Sequence, residues 1–124
     1  MQTTFARIVP VLRSFSAEKA REFYIDWLGF TVDFEHRFAP DLPLFMGISR
    51  AGIALHLSEH HGDGSPGANI TVETTGLDGF HAELLAKRYR YGRPGIEAMP
   101  WGARVITVWD PFSNRISFSE RGPA

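Results

Sequence analysis

The stretch IVPVLRSFSAEKAREFYIDWLGF at residues 8–30 decides the fold, because a strand pattern passes into a helix pattern without a linker. Residues 5–13 are β-branched and alternate, which predicts a strand, and Pro10 restricts that strand to an edge or to a place where no amide is needed. Ser16 is a candidate N-cap, and Gly29 is a candidate C-terminal glycine. Between them, apolar residues recur at the spacing of one helical face: Ala20, Phe23, Tyr24, Trp27 and Leu28.

Three more strand patterns follow this helix. The segment FTVDFEHRF alternates from Phe30 and predicts a second strand. After a turn at residues 40–43, the segments LFMGISR and IALHLSE flank Ala51 and Gly52, which predicts a hairpin. Residues 5–59 are therefore predicted to form a βαβββ module. In its second strand, alternation places five side chains on one face: Phe30, Val32, Phe34, His36 and Phe38.

The same order of elements returns after HHGDGSPG, a Gly-rich predicted linker at residues 60–67. ANITVET predicts a strand, and residues 77–89 predict a helix. A short strand is expected within residues 91–101, and ARVITVWD and RISFSE flank a turn at residues 110–114. The order repeats with an offset of ~60 residues. The predicted stripe of the second helix contains Leu77, Phe80, Leu84 and Leu85.

We therefore predict one α+β domain, residues 1–124, with modules at 5–59 and 68–120 that form a curved mixed sheet. In the fourth and fifth strands, one face is apolar and the other is semi-polar. A semi-polar face that no helix covers is typical of a ligand cleft.

Composition excludes several classes of protein. The chain has 13 Lys and Arg, 14 Asp and Glu, a net charge of -1 and no Cys. Without Cys there is no disulfide framework, Cys-ligated metal or Cys nucleophile. The near-neutral charge favours neither a nucleic-acid nor an anionic membrane partner. The N-terminal apolar run is broken by Pro10, is far shorter than the ~18 residues of a membrane span, and lacks a signal-peptide pattern. We expect a cytoplasmic protein.

Two stretches carry a family resemblance: residues 8–30 and PWGARVITVWDPFSNRISF at residues 100–118. With their PVL, FY, LGF, PWG and DPxxN elements, they resemble the bleomycin resistance proteins of the glyoxalase/bleomycin resistance/dioxygenase superfamily. The resemblance implies the paired βαβββ fold that the pattern also predicts. It further implies a homodimer with two ligand clefts at its interface, and a protein that sequesters an antibiotic without altering it.

Some members of this superfamily are metal-dependent enzymes, and the resemblance places their ligand positions on Val9, His56, Asn69 and Ser117. Only His56 carries a good ligand, whereas a divalent metal needs three or more converging donors. We therefore predict no metal, no cofactor and no catalytic residue. A glyoxalase- or dioxygenase-type enzyme that uses His56 and an unrecognised second ligand remains the alternative, and a domain that has lost its ligand is a third.

Aromatic side chains supply the candidate ligand surface. The chain has 10 Phe, 3 Trp and 3 Tyr, and flat rings stack on heteroaromatic ligands and attract cations. Trp101 matches an aromatic position of the family, Phe38 matches another near the end of the second strand, and Gly102 permits close approach. We predict a planar, cationic, bleomycin-like ligand. The predicted ligand-binding residues are Trp101, Phe38, Phe34, His56, Asn69 and Gly102.

Three of the aromatic side chains have an alternative explanation, and the charge of the chain sets a condition on ligand binding. Phe34, Phe45 and Trp109 are also explained by packing in the core or at a dimer interface. Because the chain is nearly neutral, attraction to a cationic ligand depends on local carboxylates, such as Asp33, Glu35, Glu59 and Glu73.

Overall fold

The chain follows the order strand, helix, strand, strand, strand twice, so the predicted α+β fold of two βαβββ modules is confirmed. The structure is a computed structural model that describes residues 2–122; Met1, Pro123 and Ala124, at the ends of the predicted domain, lie outside the described residues. The first module contains β1 (Val11–Arg13), α1 (Ala17–Ala20) with its π-helical continuation (Arg21–Trp27), β2 (Thr31–His36), β3 (Phe45–Arg50) and β4 (Ile53–Ser58). The second contains β5 (Asn69–Glu73), α2 (Leu77–Ala86), β6 (Glu97–Ala98), β7 (Ala103–Trp109) and β8 (Arg115–Arg121).

Each module forms its own four-stranded mixed sheet, and the two sheets have the same topology. The strand orders are β1-β4-β3-β2 and β5-β8-β7-β6. In each sheet the first strand of the module is parallel to the last, and the other pairs are antiparallel. One face of each sheet packs against the helices around a shared core. We call the opposite side of each sheet its open face.

The first helix begins and ends where the sequence predicts. The Ser16 hydroxyl accepts a hydrogen bond from the Lys19 amide at 3.2 Å, and Gly29 adopts a φ of 81°. The last turns are wider than an α-helix, since the Leu28 amide donates to the Phe23 carbonyl five residues back at 3.0 Å. The predicted apolar stripe, Ala20, Phe23, Tyr24, Trp27 and Leu28, is buried throughout.

The first strand is shorter than predicted. Regular pairing with β4 covers only Val11–Arg13, and residues 2–10 form no regular element. Pro10 accepts a bond from the His56 amide at 2.9 Å but has no amide of its own to donate, so it limits the pairing. Phe5 and Ile8 are 95% and 91% exposed. Residues 2–10, the N-terminal arm, thus carry apolar side chains that this chain does not bury.

A β-bulge in β2 corrects the predicted alternation. The pairing register shifts between Val32, which lies opposite Ile48, and Phe34, which lies opposite Gly47. The extra residue is Asp33, and its carboxylate accepts a hydrogen bond from Ser49 at 3.0 Å. The prediction that Phe30, Val32 and Phe34 share a face is therefore wrong: the bulge turns Phe34 to the open face.

The second helix is also shorter than predicted, because it ends at Ala86 and Arg88 adopts a positive φ of 50°. Leu77 and Leu84 are buried and Phe80 packs against the core, as predicted. Leu85 is 43% exposed, so its place in the stripe was wrong. In residues 2–122, no helix combines the length and apolar character needed to cross a membrane.

The two modules are joined at one junction by a buried polar network. Asp110 accepts hydrogen bonds from the Tyr24 hydroxyl at 2.6 Å and from the amides of Phe112 and Asn114 at 2.8 Å each. The Asn114 side chain donates to Asp110 at 2.8 Å and to the Arg13 carbonyl at 2.9 Å. Burial, reinforced by the Asp110 charge, raises the pKa of Tyr24 well above its ordinary value. The buried Asp110 and Asn114 side chains of the DPxxN stretch therefore join the second module to the first.

At the other junction, the modules are joined by a half-exposed ion pair. Arg50 donates two hydrogen bonds to Glu83 of α2, at 2.7 and 2.9 Å, and a third to the Leu28 carbonyl at 2.6 Å. The hydrogen bond from Arg50 lowers the pKa of Glu83, and the Coulomb attraction adds to it. This charged contact joins the two modules here, as the buried hydrogen-bond network joins them at the first junction.

Candidate functional site

His56 lies at the centre of the open face of the first sheet. In the sheet register its neighbours are Val11 of β1 and Gly47 of β3. The Phe34 and Phe45 rings meet the imidazole edge-on, with centroids at 5.5 and 5.0 Å. Two predicted site residues, His56 and Phe34, are therefore in contact.

Gly47 provides the space that Phe34 occupies. The Phe34 ring lies directly over the Gly47 backbone, so a Cβ at position 47 would overlap the ring. In this position Phe34 stacks on Phe45 at 6.0 Å with 20° between the ring planes, and it stays 43% exposed. The glycine in this strand thus permits the close approach of an aromatic ring.

The aromatic surface continues beyond the end of β2. Phe38 is 76% exposed and lies between two imidazoles, with His36 at 4.6 Å and His60 at 5.9 Å. His36, His60 and Gly47 were not among the predicted site residues. For Gly47, the sequence did contain a signal, because a glycine inside an otherwise regular strand indicates that another group approaches the backbone closely. We call the whole set the aromatic face: Phe34, Phe38, Phe45, His36, His56 and His60.

The carboxylates expected near the ligand differ in their contacts. Glu35 pairs with Arg21. Glu59 accepts the Leu44 amide at 3.1 Å and lies 4.0 Å from Arg37. Asp33 precedes Phe34 at the bulge and bonds only the neutral Ser49 hydroxyl among the contacts of residues 2–122. Asp33 therefore forms no ion pair within the described chain. It is the carboxylate without a cationic partner that lies nearest in sequence to the aromatic face.

The remaining predicted residues lie on the second sheet. Asn69, at the start of β5, is exposed, and its side-chain oxygen accepts from the Arg115 guanidinium at 3.2 Å. Trp101 and Gly102 occupy the tight turn between β6 and β7, where the Gly102 amide donates to the Met99 carbonyl at 3.0 Å. Gly102 has a φ of 90°, and Trp101 is 72% exposed. The six predicted residues are thus divided between the two sheets.

The four positions suggested for metal ligands do not suit a divalent metal. Val9 lies in the N-terminal arm, His56 on β4, Asn69 on β5 and Ser117 on β8. They supply one imidazole, one amide, one hydroxyl and one hydrocarbon side chain, whereas bound metals use several imidazole, thiolate or carboxylate donors. Across the described chain, no group of three or more His, Asp or Glu side chains is placed to hold a metal.

Comparisons with known proteins place this geometry in a family. A family model described as a glyoxalase superfamily protein matches residues 1–123. No curated protein matches the sequence. Several solved structures share the fold.

A bleomycin-binding protein in complex with bleomycin superposes with a TM-score of 0.71 at 19% identity, over 95% of this chain and 100% of that chain. The antibiotic binding protein TnmS3 from Streptomyces sp. CB03234 gives 0.73 at 19% identity, over 98% and 100%. A glyoxalase-related enzyme from Clostridium phytofermentans gives 0.75 at 17% identity, over 97% and 98%. These structures include binding proteins and an enzyme, so at such identities the likeness describes the fold alone.

The family model spans nearly the whole chain, and the two βαβββ modules form the fold that these structures share. The resemblance in residues 8–30 and 100–118 is confirmed: the chain belongs to the glyoxalase superfamily.

Proposed function

We propose that this protein binds and sequesters a planar, cationic small molecule of the bleomycin type, without changing it chemically, as a homodimer in the cytoplasm. The observation that carries the proposal is the aromatic face on the open side of the first sheet. The proposed ligand-binding residues of the protein are Phe34, Phe38 and His56 of the first module together with Asn69, Trp101 and Gly102 of the second.

The aromatic face has the geometry of a stacking surface. Phe34 and Phe45 are nearly parallel, and Phe38 is largely exposed. Exposed apolar rings grouped on one face are uncommon unless they serve an interaction. A flat heteroaromatic ligand would cover them and gain both apolar burial and ring stacking.

Local charge supports a cationic ligand. The Asp33 carboxylate lies next in sequence to Phe34 and has no cationic partner among residues 2–122. Ring faces also attract cations. Because the whole chain has a net charge of only -1, attraction depends on this local carboxylate rather than on long-range steering.

Two features support the homodimer. Phe5 and Ile8 in the N-terminal arm are almost fully exposed, and a second copy would bury them. Trp101, on the turn of the second sheet, is 72% exposed and is not among the rings of the aromatic face. A dimer that brings the second sheet of one copy against the first sheet of the other would complete the site twice.

Fluorescence titration with metal-free bleomycin tests the ligand. Trp101→Ala should weaken binding by about 1 to 3 kcal/mol, the usual size for an aromatic anchor. Its melting temperature should fall less than that of a core variant such as Phe23→Ala, where truncation costs about 3 to 5 kcal/mol. Unchanged affinity in Trp101→Ala would contradict the proposed site. Stoichiometric metal that is lost in His56→Ala would instead favour the enzyme alternative.

Sedimentation equilibrium tests the dimer. We expect a dimer at micromolar concentration, and we expect Phe5→Ser combined with Ile8→Ser to weaken it, because these side chains lose their apolar contact. A wild-type monomer at that concentration would refute the dimer, whereas a dimer that the double variant leaves equally stable would refute the role of the arm.

A further inference from the structure

A second aromatic surface lies on the second module, around Tyr91 and Trp109. Two surface cavities, of about 440 and 180 Å³, both have Tyr91 and Trp109 in their walls. Tyr89 and Lys19 line the larger cavity, and Arg93 lines the smaller one. The two cavities adjoin at this pair of rings, and we call them together the Tyr91–Trp109 groove.

The rings of this groove are exposed but held from behind. Tyr91 is 65% exposed and packs on Tyr89 at 5.7 Å; Tyr89 packs on Trp27 at 4.8 Å, and the Trp27 indole donates to the Leu84 carbonyl at 3.1 Å. Gly92 lets the loop approach the Trp27 ring, because a Cβ there would overlap it. The Tyr91, Tyr89 and Trp27 rings therefore connect the groove to the core. Because the rings are already held in place, ligand binding would cost little side-chain entropy of the protein.

Trp109 is held by the sheet itself. It is 59% exposed, and the Arg115 guanidinium lies 5.3 Å from its ring. Arg115 is positioned in turn by the Asn69 side chain at 3.2 Å. A supported ring with a large exposed area is a ready stacking surface.

The charges around the groove are mostly positive. Lys19 and Arg93 line it, Arg90 lies 5.6 Å from the Tyr91 ring, and Arg115 lies against Trp109. Within residues 2–122, none of the ion pairs involves any of these four cations.

The two carboxylates that line the larger cavity are already engaged. Asp110 is buried in the network with Tyr24 and Asn114. Glu22 lies beside the Tyr89 hydroxyl; burial, together with this carboxylate, raises the pKa of Tyr89 to about 12. Both carboxylates keep their charge, because their hydrogen-bond partners are neutral groups. With the flanking Arg90 and Arg115 counted, four cations stand against two carboxylates, so the rim of the groove has a positive balance in a chain whose net charge is -1 and attracts anions.

We propose that the Tyr91–Trp109 groove is a second small-molecule site, which takes a planar aromatic ring that carries an anionic group such as a carboxylate, sulfonate or phosphate. The ring stacks on Trp109 and Tyr91, and Lys19 and Arg93 hold the anion. This charge preference is opposite to that of the aromatic face, so one protein carries two surfaces that select aromatic ligands by the sign of their charge.

Three naphthalene probes of equal ring size test the proposal: naphthalene-2-sulfonate, 2-naphthalenemethanol and 2-naphthylmethylammonium. Binding is followed by NMR through the three indole N–H resonances, assigned with Trp→Phe variants. The sulfonate should shift the Trp109 resonance and bind at least about tenfold more tightly than the ammonium probe, and high salt should reduce this difference. Trp109→Ala should weaken sulfonate binding about tenfold. Trp101→Ala, which removes another exposed indole, should leave the sulfonate-induced shift of the Trp109 resonance unchanged.

A charge variant separates the anion from the ring. Lys19→Gln with Arg93→Gln keeps the rings in place and should remove most of the preference for the sulfonate, and it serves in place of Trp109→Ala if that variant fails to fold. Equal affinities for the three probes would overturn the proposal. So would a shift at Trp101 with none at Trp109. A change of oligomeric state in Trp109→Ala without loss of probe binding would show that the groove is a protein contact, and would also overturn it.

Discussion

Gly47→Ala should damage the ligand site without touching a ligand. A Cβ built on Gly47 lies 2.7 Å from two atoms of the Phe34 ring, whereas carbon atoms in van der Waals contact are about 3.5 to 4.0 Å apart. Gly47 does not have a positive φ, so alanine does not strain the backbone there. The conflict must therefore be relieved by Phe34, which is free to rotate toward solvent because its ring is already 43% exposed.

The expected costs follow from that geometry. Full burial of a Phe side chain is worth about 1.5 to 3 kcal/mol, and Phe34 has roughly half of this to lose, or about 1 kcal/mol. The higher strand propensity of alanine offsets about 0.5 kcal/mol. The free energy of unfolding should thus fall by at most about 1 kcal/mol. Affinity for metal-free bleomycin should fall about tenfold, because the stacked arrangement of Phe34 and Phe45 is lost.

Urea denaturation and fluorescence titration measure these two quantities on the same samples. Gly79→Ala is the matched control: it lies in α2, and no atom lies within 4 Å of the new Cβ. It should raise stability by about 0.5 to 1 kcal/mol and leave affinity unchanged. Wild-type affinity in Gly47→Ala, or a loss of several kcal/mol of stability, would show that Phe34 does not respond as described.

Two further predictions concern the junctions between the modules. Tyr24→Phe removes a hydrogen bond to a buried carboxylate and should cost about 2 kcal/mol, or about 8 °C in Tm, whereas Tyr91→Phe should cost nothing measurable. Because the folded state raises the pKa of Tyr24, wild type should lose stability relative to Tyr24→Phe as the pH rises above 10 in urea titrations. Glu83→Gln should cost about 0.5 to 1 kcal/mol at neutral pH. Since Arg50 lowers the pKa of Glu83, the stability difference between wild type and Glu83→Gln should be complete above the ordinary pKa of 4.5 and should disappear as the pH falls below it. A stability difference that does not change with pH would refute the ion pair.

Patterns of local origin allowed most of the fold to be predicted. The Ser16 cap, the stripe from Ala20 to Leu28 and the Gly29 terminus depend on neighbours along the chain, and all three are confirmed. The bulge at Asp33 could not be read from alternation, because it depends on how β2 pairs with β3. One inserted residue reversed the face of Phe34.

In the candidate site, too, individual residues could be predicted from the sequence, whereas contacts between distant segments could not. The resemblance suggested Phe38 and Trp101, but the contacts of Phe34, Phe45 and His56 require three strands to pair in register. The groove at Tyr91 and Trp109 is also non-local, since it joins residues from the first helix, the loop after α2 and the end of β7. Single-sequence patterns do not specify which loops meet.

Because the two junctions between the modules differ in burial, we expect one of them to open before the other. The Tyr24–Asp110–Asn114 network is buried, so salt screens it little, while the Arg50–Glu83 pair is open to solvent and counterions. In native-state amide exchange, the first partial opening should therefore part α2 from the hairpin of β3 and β4 while the β7–β8 turn stays closed against β1. Such an opening would separate the two modules while the buried hydrogen bonds at Asp110 keep them joined at the other junction.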